Sequence, residues 1–345
     1  MKFAAENLIL VVLLITGFCL VVRAQRTSDF VSPERLSLTV TVSNASGFLR
    51  NFTTEDFEIY LENKRGVITS VKQEDEPVSV GILVDVSSSM RTDQSGKTDK
   101  MAFGVKAFPR FLANANREND YFVMSFAKGL NLVLDSTQDG EKVKKTLEEL
   151  AANKLRETDT KFYDALNAAF EKFEGAKHQK KVLILISDGQ DNSNTKLDLK
   201  DIGKLVRQND VLLYSFRIIP EEVFQDSRDI TLSLRRTSIL ERDYGRLQFE
   251  IASFPTGYIN DFLYSIKVLE DMAAASGGRG FYPLNQAETY KAFEILAEEL
   301  KSQYLLTVNP SSALKKDRAN EIRVKAPKLK DTKKVSVRAR KSFYF

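Results

Sequence analysis

The sequence predicts an α/β fold: a mostly parallel central sheet with one antiparallel edge strand, helices on both faces, and small β elements at the N- and C-terminal ends. The first observation is a change of rhythm after Pro77. Apolar runs at Val80–Val84, Tyr121–Phe126, Lys181–Ile186 and Val211–Arg217 alternate with helical patterns at about 98–114, 139–153, 162–173 and 198–208. Near-continuous apolar strands separated by helices belong to a parallel sheet covered on both faces. The second is a short link. Asn131-Leu-Val-Leu-Asp follows the second run after only Gly129-Leu130, too little chain for a parallel crossover, so it reads as an antiparallel edge strand. The third is apolar/polar alternation outside the 78–302 region, as half-buried strands require.

Taken in order, the chain begins with Lys2, an apolar run from Leu8 to Val22, and small residues around Ala24. This pattern predicts a secretory signal peptide over residues 1–24, hence an exported protein of the periplasm, cell envelope or medium. An uncleaved anchor is the other reading, although 15 apolar residues fall short of the about 20 that a span needs. Residues 25–77 form an N-terminal β module, with strands at Leu36–Val42, Phe57–Leu61 and Gly66–Val71 and a turn over Ser43–Gly47. The α/β domain spans 78–302, with an irregular insertion at about 220–262 and further helices at 266–275 and 286–302 flanking the turn Ser276-Gly-Gly-Arg-Gly. A C-terminal β extension, 303–345, carries strands at Tyr304–Val308, Glu321–Lys325 and Lys334–Arg338.

Composition narrows the chemistry. The chain has 345 residues, 43% hydrophobic with 23 phenylalanines, enough for a large core. Its only cysteine, Cys19, lies in the signal segment, so the mature chain is expected to lack disulfides, thiolate metal sites and cysteine catalysis. Exported chains without disulfides are common among bacterial envelope proteins, so a bacterial source and envelope association are expected. Residues 314–341 hold 12 Lys or Arg against Asp317, Glu321 and Asp331, a run expected to be the solvated face of a hairpin. No nucleic-acid-binding motif accompanies it, and no nucleic-acid partner is expected.

The segment GILVDVSSSM, residues 81–90, carries the chemistry. Alternate residues of an extended chain face the same way, so Asp85, Ser87 and Ser89 project together where the first core strand leaves the sheet. Open α/β sheets bind ligands at that carboxyl end. One carboxylate and two hydroxyls are hard oxygen donors of the kind that Mg²⁺, Mn²⁺ or Ca²⁺ takes. Lys181-Val-Leu-Ile-Leu-Ile-Ser-Asp-Gly brings Asp188 to the end of another core strand, and Glu157-Thr-Asp-Thr brings Thr160 to the start of a helix. Taken singly, the serines and Thr160 could be helix caps and Asp188-Gly189 an ordinary turn.

Asp-x-Ser-x-Ser, then a threonine before a helix, then Ser-Asp-Gly after a strand, resembles the von Willebrand factor A domain, a Rossmann-like α/β fold. In that family these five positions form the metal-ion-dependent adhesion site, or MIDAS. The resemblance implies that Ser87, Ser89 and Thr160 hold the ion directly, with Asp85 and Asp188 bound directly or through water. It implies Mg²⁺ as the ion, with Mn²⁺ or Ca²⁺ as alternatives, and a protein partner that offers an Asp or Glu to the metal. Phe52-Thr-Thr-Glu-Asp-Phe-Glu-Ile-Tyr-Leu-Glu-Asn, Asp188-Gly-Gln-Asp-Asn-Ser and the terminal Val337-Arg-Ala-Arg-Lys-Ser-Phe-Tyr look like exported bacterial von Willebrand factor A-related acidobacterial-domain proteins.

Catalysis is not the expectation. The only histidine, His178, precedes a core strand and so sits at the opposite end from Ser87, and there is no Gly-x-Ser-x-Gly elbow. Ser95-Gly-Lys-Thr98 lacks the glycine a phosphate-binding loop needs five residues before Gly96, where Arg91 stands. The readings in order are a metal-dependent binding module, a structural envelope component whose motif merely caps strand ends, and a metal-assisted hydrolase.

Overall fold

A computed structural model describes residues 31–32, 35–73, 75–91, 99–153, 158–189, 191, 199–219, 257–310, 314–315, 318–327 and 335–344. The expected signal segment with Cys19, the Ser95–Thr98 stretch and residues 220–256 of the expected insertion lie outside the described residues.

The N-terminal strands are β1 (Val31–Ser32), β2 (Arg35–Asn44), β3 (Gly47–Phe48), β4 (Glu58–Leu61), β5 (Lys64–Arg65) and β6 (Val67–Lys72). The α/β region follows as β7 (Ser79–Asp85), α1 (Ser88–Arg91), α2 (Lys100–Asn114), β8 (Asp120–Phe126), β9 (Leu130–Thr137), α3 (Gly140–Ala152), α4 (Phe162–Lys172) and β10 (Lys181–Ile186). It closes with α5 (Leu199–Gln208), β11 (Leu212–Phe216), α6 (Gly257–Ser276), β12 (Arg279–Phe281) and α7 (Gln286–Ser302). The tail supplies β13 (Tyr304–Asn309), β14 (Ala319–Lys325), β15 (Ser336–Arg338) and β16 (Ser342–Tyr344).

The central sheet runs β12-β11-β10-β7-β8-β9, parallel throughout except for the β8–β9 pair. Strand parity sorts the core into two layers. Val80, Ile82 and Val84 of β7 pack with Met101, Val105 and Phe108 of α2 and with Phe293 and Leu296 of α7. Leu83 packs on the other face with Leu183 and Leu185, beneath Phe162 and Leu166 of α4 and Leu269 of α6. Helices therefore cover both faces, and every residue of β7 and β8 is buried. The edge strand β9 is almost wholly exposed, with only Leu134 inward.

Two differences from the sequence reading concern the α/β region. Residues 257–262, assigned to the insertion, open α6. The Ser276–Gly280 turn feeds a further parallel strand, β12, too short to show any periodicity.

The terminal β elements are built jointly. β2 pairs antiparallel with β13, β13 with β6, and β14 with β4, so strands from both ends of the chain share two sheets. They share one core, in which Leu38, Val40, Ile59 and Leu61 from the N-terminal part meet Tyr304, Leu306, Ile322 and Phe343 from the tail. Among the described basic residues of the tail, Lys315, Arg318, Arg323, Lys325 and Lys341 are exposed, as a solvated face requires, but two others turn inward. Arg340 is 5% exposed and donates to the Asn209 carbonyl at 2.8 Å, and Arg338 pairs with the fully buried Glu299 of α7. Tyr214 of β11 also donates to Glu299, at 2.6 Å, and Gln303 donates to Tyr214 at 2.9 Å, fixing α7 and the β layer to the central sheet. Among the described residues, no helix is long and apolar enough to cross a membrane.

Candidate metal centre

β7 lies between β8 and β10, with Asp85 opposite Phe126 and Val84 opposite Ile186. The chain thus delivers Asp85 and the Ser187-Asp188 pair to the same level at the carboxyl edge of the sheet. Asp85 accepts from the Ser87 amide at 3.0 Å through one oxygen and from the Ser187 hydroxyl at 2.8 Å through the other. The Ser87 and Ser89 hydroxyls lie 3.1 Å apart. Three of the five expected donors therefore form one hydrogen-bonded group, and Asp188 follows Ser187, which is bonded to Asp85. Thr160 is buried just before α4. The next residue, Lys161, donates its amide to the Ala127 carbonyl at 2.9 Å, just beyond the end of β8. The start of α4 is tied to the loop after β10 by the Tyr163 amide, 3.1 Å from the Asp191 carboxylate.

Simple alternation does not produce this arrangement. β7 ends at Asp85, and Ser88–Arg91 winds into a single helical turn, so Ser89 reaches Ser87 around that turn while standing exposed. Asp85, Ser87, Thr160 and Asp188 are each at most 3% exposed. The capping alternatives are answered directly. Asp99, not a serine, caps α2 by accepting from the Ala102 amide at 2.7 Å. Lys161, not Thr160, occupies the cap position of α4 and makes no side-chain cap bond.

Two glycines shape the site. Gly189 has φ +75°, which suits the turn expected after Asp188, and a Cβ there would stand 2.9 Å from Leu269. Gly104 lets α2 press against β10, since a Cβ there would meet Ile186 at 2.7 Å. One turn earlier on that face of α2 is Lys100, which therefore faces the end of β10. Its ammonium donates to Asp188 Oδ2 at 3.2 Å. Sequence reasoning missed Lys100, Ser187 and Arg217. Ser187 stood inside the quoted Ser-Asp-Gly, whereas nothing in the local sequence marks Lys100.

The electrostatics divide the two carboxyls. Burial, with the charge of Asp188 next, raises the Asp85 carboxyl from 3.8 to about 7. Burial also acts to raise Asp188, but Lys100 and the buried Arg217 outweigh it and hold this carboxyl below the usual value. Asp188 Oδ1 is buried with no hydrogen-bond partner among the described residues. The chemistry of the donor set fits a hard divalent cation: Asp85 and Asp188 are carboxyls, one with an unsatisfied oxygen among the described residues, and Ser87 and Ser89 add hydroxyls. Among the described residues no group of three or more His, Cys, Asp or Glu converges anywhere, so hydroxyls are needed to complete any such set. Lys100 is the feature that does not belong to a simple cation site.

His178 is at the other end of β7, as expected, but it is not merely solvated. Its amide donates to Ser79 Oγ at 2.9 Å, and its ring nitrogen lies 2.9 Å from the Glu118 carbonyl. With Ser79 bound to Asp120 at 2.6 Å, the imidazole clamps the amino end of the sheet.

Residues 80–190 match the family model described as von Willebrand factor type A domain. No curated protein matches the chain. Among solved structures, proximal thread matrix protein 1 from mussel byssus is 15% identical, with a TM-score of 0.43 over 67% of this chain and 49% of that one. This chain therefore spans about half of the mussel protein, which has also been solved with a zinc-occupied MIDAS motif. BatB from Bacteroides thetaiotaomicron is 14% identical, with a TM-score of 0.42 over 65% of this chain and 99% of that one. The PilB minor pilin from Streptococcus sanguinis is 11% identical, with a TM-score of 0.42 over 67% of this chain and 62% of that one.

Proposed function

We propose that this protein is an exported binding module that captures an acidic side chain of a protein partner through a divalent cation, Mg²⁺ foremost, at the carboxyl edge of its central sheet. One observation carries the reading: Asp188 Oδ1 stays buried and unbonded within a group of hydroxyl and carboxylate oxygens. Leaving such an atom unsatisfied costs about 1–3 kcal/mol, and a bound cation would remove that cost. Ser87, Ser89 and Thr160 would hold the ion, with Asp85 and Asp188 beside them. When bound, the ion supplies an electrophilic position that a partner's Asp or Glu can fill, because neutral hydroxyls do not cancel its charge. Ser187 and the Ser87 amide orient Asp85, and the Ser89 hydroxyl is held against that of Ser87. The burial of Ser87 and Thr160 excludes bulk water from the inner donors.

Pull-down from envelope extract with and without chelator tests the proposal. Capture that needs Mg²⁺ and is lost in Asp85→Ala supports it; capture indifferent to both contradicts it. A second reading, a structural envelope component that binds no metal, is favoured by the Lys100–Asp188 pair, which already supplies positive charge to the site. Calorimetric titration with Mg²⁺ or Mn²⁺ separates the two readings. Saturable binding lost in Ser87→Ala favours the first, and no binding favours the second.

A further inference from the structure

We infer that Lys100 is a tethered counter-cation that occupies the site beside Asp188 and must swing out when a divalent ion enters, so that this residue sets the affinity of the site. The inference rests on the metal-binding reading above. Its grounds are positional. Lys100 is the first residue of α2, where the positive end of the helix dipole disfavours a cation by about 0.3–1 kcal/mol. An ammonium placed there needs a compensating anion, and Asp188 Oδ2, at 3.2 Å, is that anion. The pair is sheltered, with the two side chains 15% and 5% exposed, so it is not one of the solvated surface pairs that contribute little. Close packing enforces the aim, because Gly104 allows α2 to lie against Ile186, two residues before Asp188.

Exchange also accounts for the choice of residue. Lysine presents a point charge on a flexible stem and can leave by rotating about its own bonds, whereas arginine would be held by a planar fork. With both carboxyls ionised, as a metal-binding state requires, the formal charges of Asp85, Asp188, Lys100 and Arg217 cancel while the ammonium is seated. Replacing it with a dication leaves one net positive charge, which suits one incoming carboxylate. Metal entry would thus switch the site from neutral to anion-attracting.

The test is calorimetric titration of Mn²⁺ into wild type, Lys100→Gln and Lys100→Arg, with thermal unfolding of each in chelator and in Mn²⁺. An ammonium seated nine times in ten lowers apparent affinity about tenfold, so Lys100→Gln is expected to bind Mn²⁺ about tenfold more tightly than wild type. Its unfolding midpoint should fall in chelator and recover in Mn²⁺ by more than the wild-type midpoint moves. Lys100→Arg keeps the charge and is expected to bind no more tightly than wild type, which covers the case of a glutamine variant that does not fold. Equal or weaker Mn²⁺ binding by Lys100→Gln overturns the exchange and leaves the metal reading standing. Tighter binding by Lys100→Arg also overturns the exchange. No binding by any of the three overturns both.

Discussion

The two ends of the central sheet use the same residue types to opposite effect. At the amino end, Ser79 donates to Asp120 at 2.6 Å, Ser79 accepts from the His178 amide at 2.9 Å, and the Val78 amide is taken by Asn119 at 2.7 Å. At the carboxyl end, Asp85 is satisfied by Ser87 and Ser187, but Asp188 keeps a buried oxygen unbonded among the described residues and leans on Lys100 and Arg217. Serine and aspartate at a strand end are thus poor evidence of a binding site in themselves. What separates the two ends is unfilled bonding capacity: a closed network rigidifies the fold, whereas an open one has room for a ligand.

The comparison can be broken most decisively by exchanging the two aspartates' roles. Asp85→Ala is expected to abolish Mn²⁺ binding by calorimetry while the far-ultraviolet dichroism stays that of the wild type. Asp120→Ala is expected to leave Mn²⁺ binding within about twofold but to lower stability by about 1–3 kcal/mol in urea, because Ser79 loses its acceptor in a buried network. If Asp120→Ala impaired metal binding as much as Asp85→Ala, the functional distinction between the ends would fail.

Next in size is Ser87→Ala, which removes a hydroxyl at the open end and nothing at the closed one. A loss of about 10–100-fold in Mn²⁺ affinity is expected, on the scale seen when groups supporting a metal are removed. Unchanged affinity would mean that this hydroxyl serves only the local turn.

A subtler contrast lies in pH. The Asp85 carboxyl sits near 7 in the folded chain against 3.8 as its ordinary value, so folding favours its protonated form. Its stabilising contribution is full below about 4 and is lost as pH rises through about 7. In chelator, wild type is therefore expected to unfold more easily at pH 8 than at pH 5, and Asp85→Asn should flatten that slope. A wild-type profile as flat as that of Asp85→Asn would show that Asp85 does not titrate in this range. The smallest effect is expected from His178→Ala: a loss of at most about 1.5 kcal/mol through its Glu118 bond, and none in metal affinity.

Much of this was readable in the sequence because the α/β domain is written in long periodic signals. The strand Lys181–Ile186 has the same bounds in both readings, and the link through Gly129-Leu130 identified the antiparallel edge. Short elements were not readable: β12 has three residues, too few for alternation to register. The pairing of β2 with β13 joins residues over 260 positions apart, which no local pattern encodes. At the site, Asp85, Ser87, Ser89 and Asp188 were legible as ordered oxygen donors at strand ends, and the structure brings these four together. Lys100 was illegible because its role depends on how closely α2 approaches β10, a packing fact set by Gly104 and Ile186. Arg338 and Arg340 were misread for a related reason. A basic run usually faces water, and only the tertiary fold reveals Glu299 and the Asn209 carbonyl waiting behind it.

The most direct measurement is calorimetric titration of Mn²⁺ into the purified protein beside its Asp85→Ala variant. The account predicts saturable one-site binding in the first and none in the second. Heats that are absent from both, or identical in both, would contradict it.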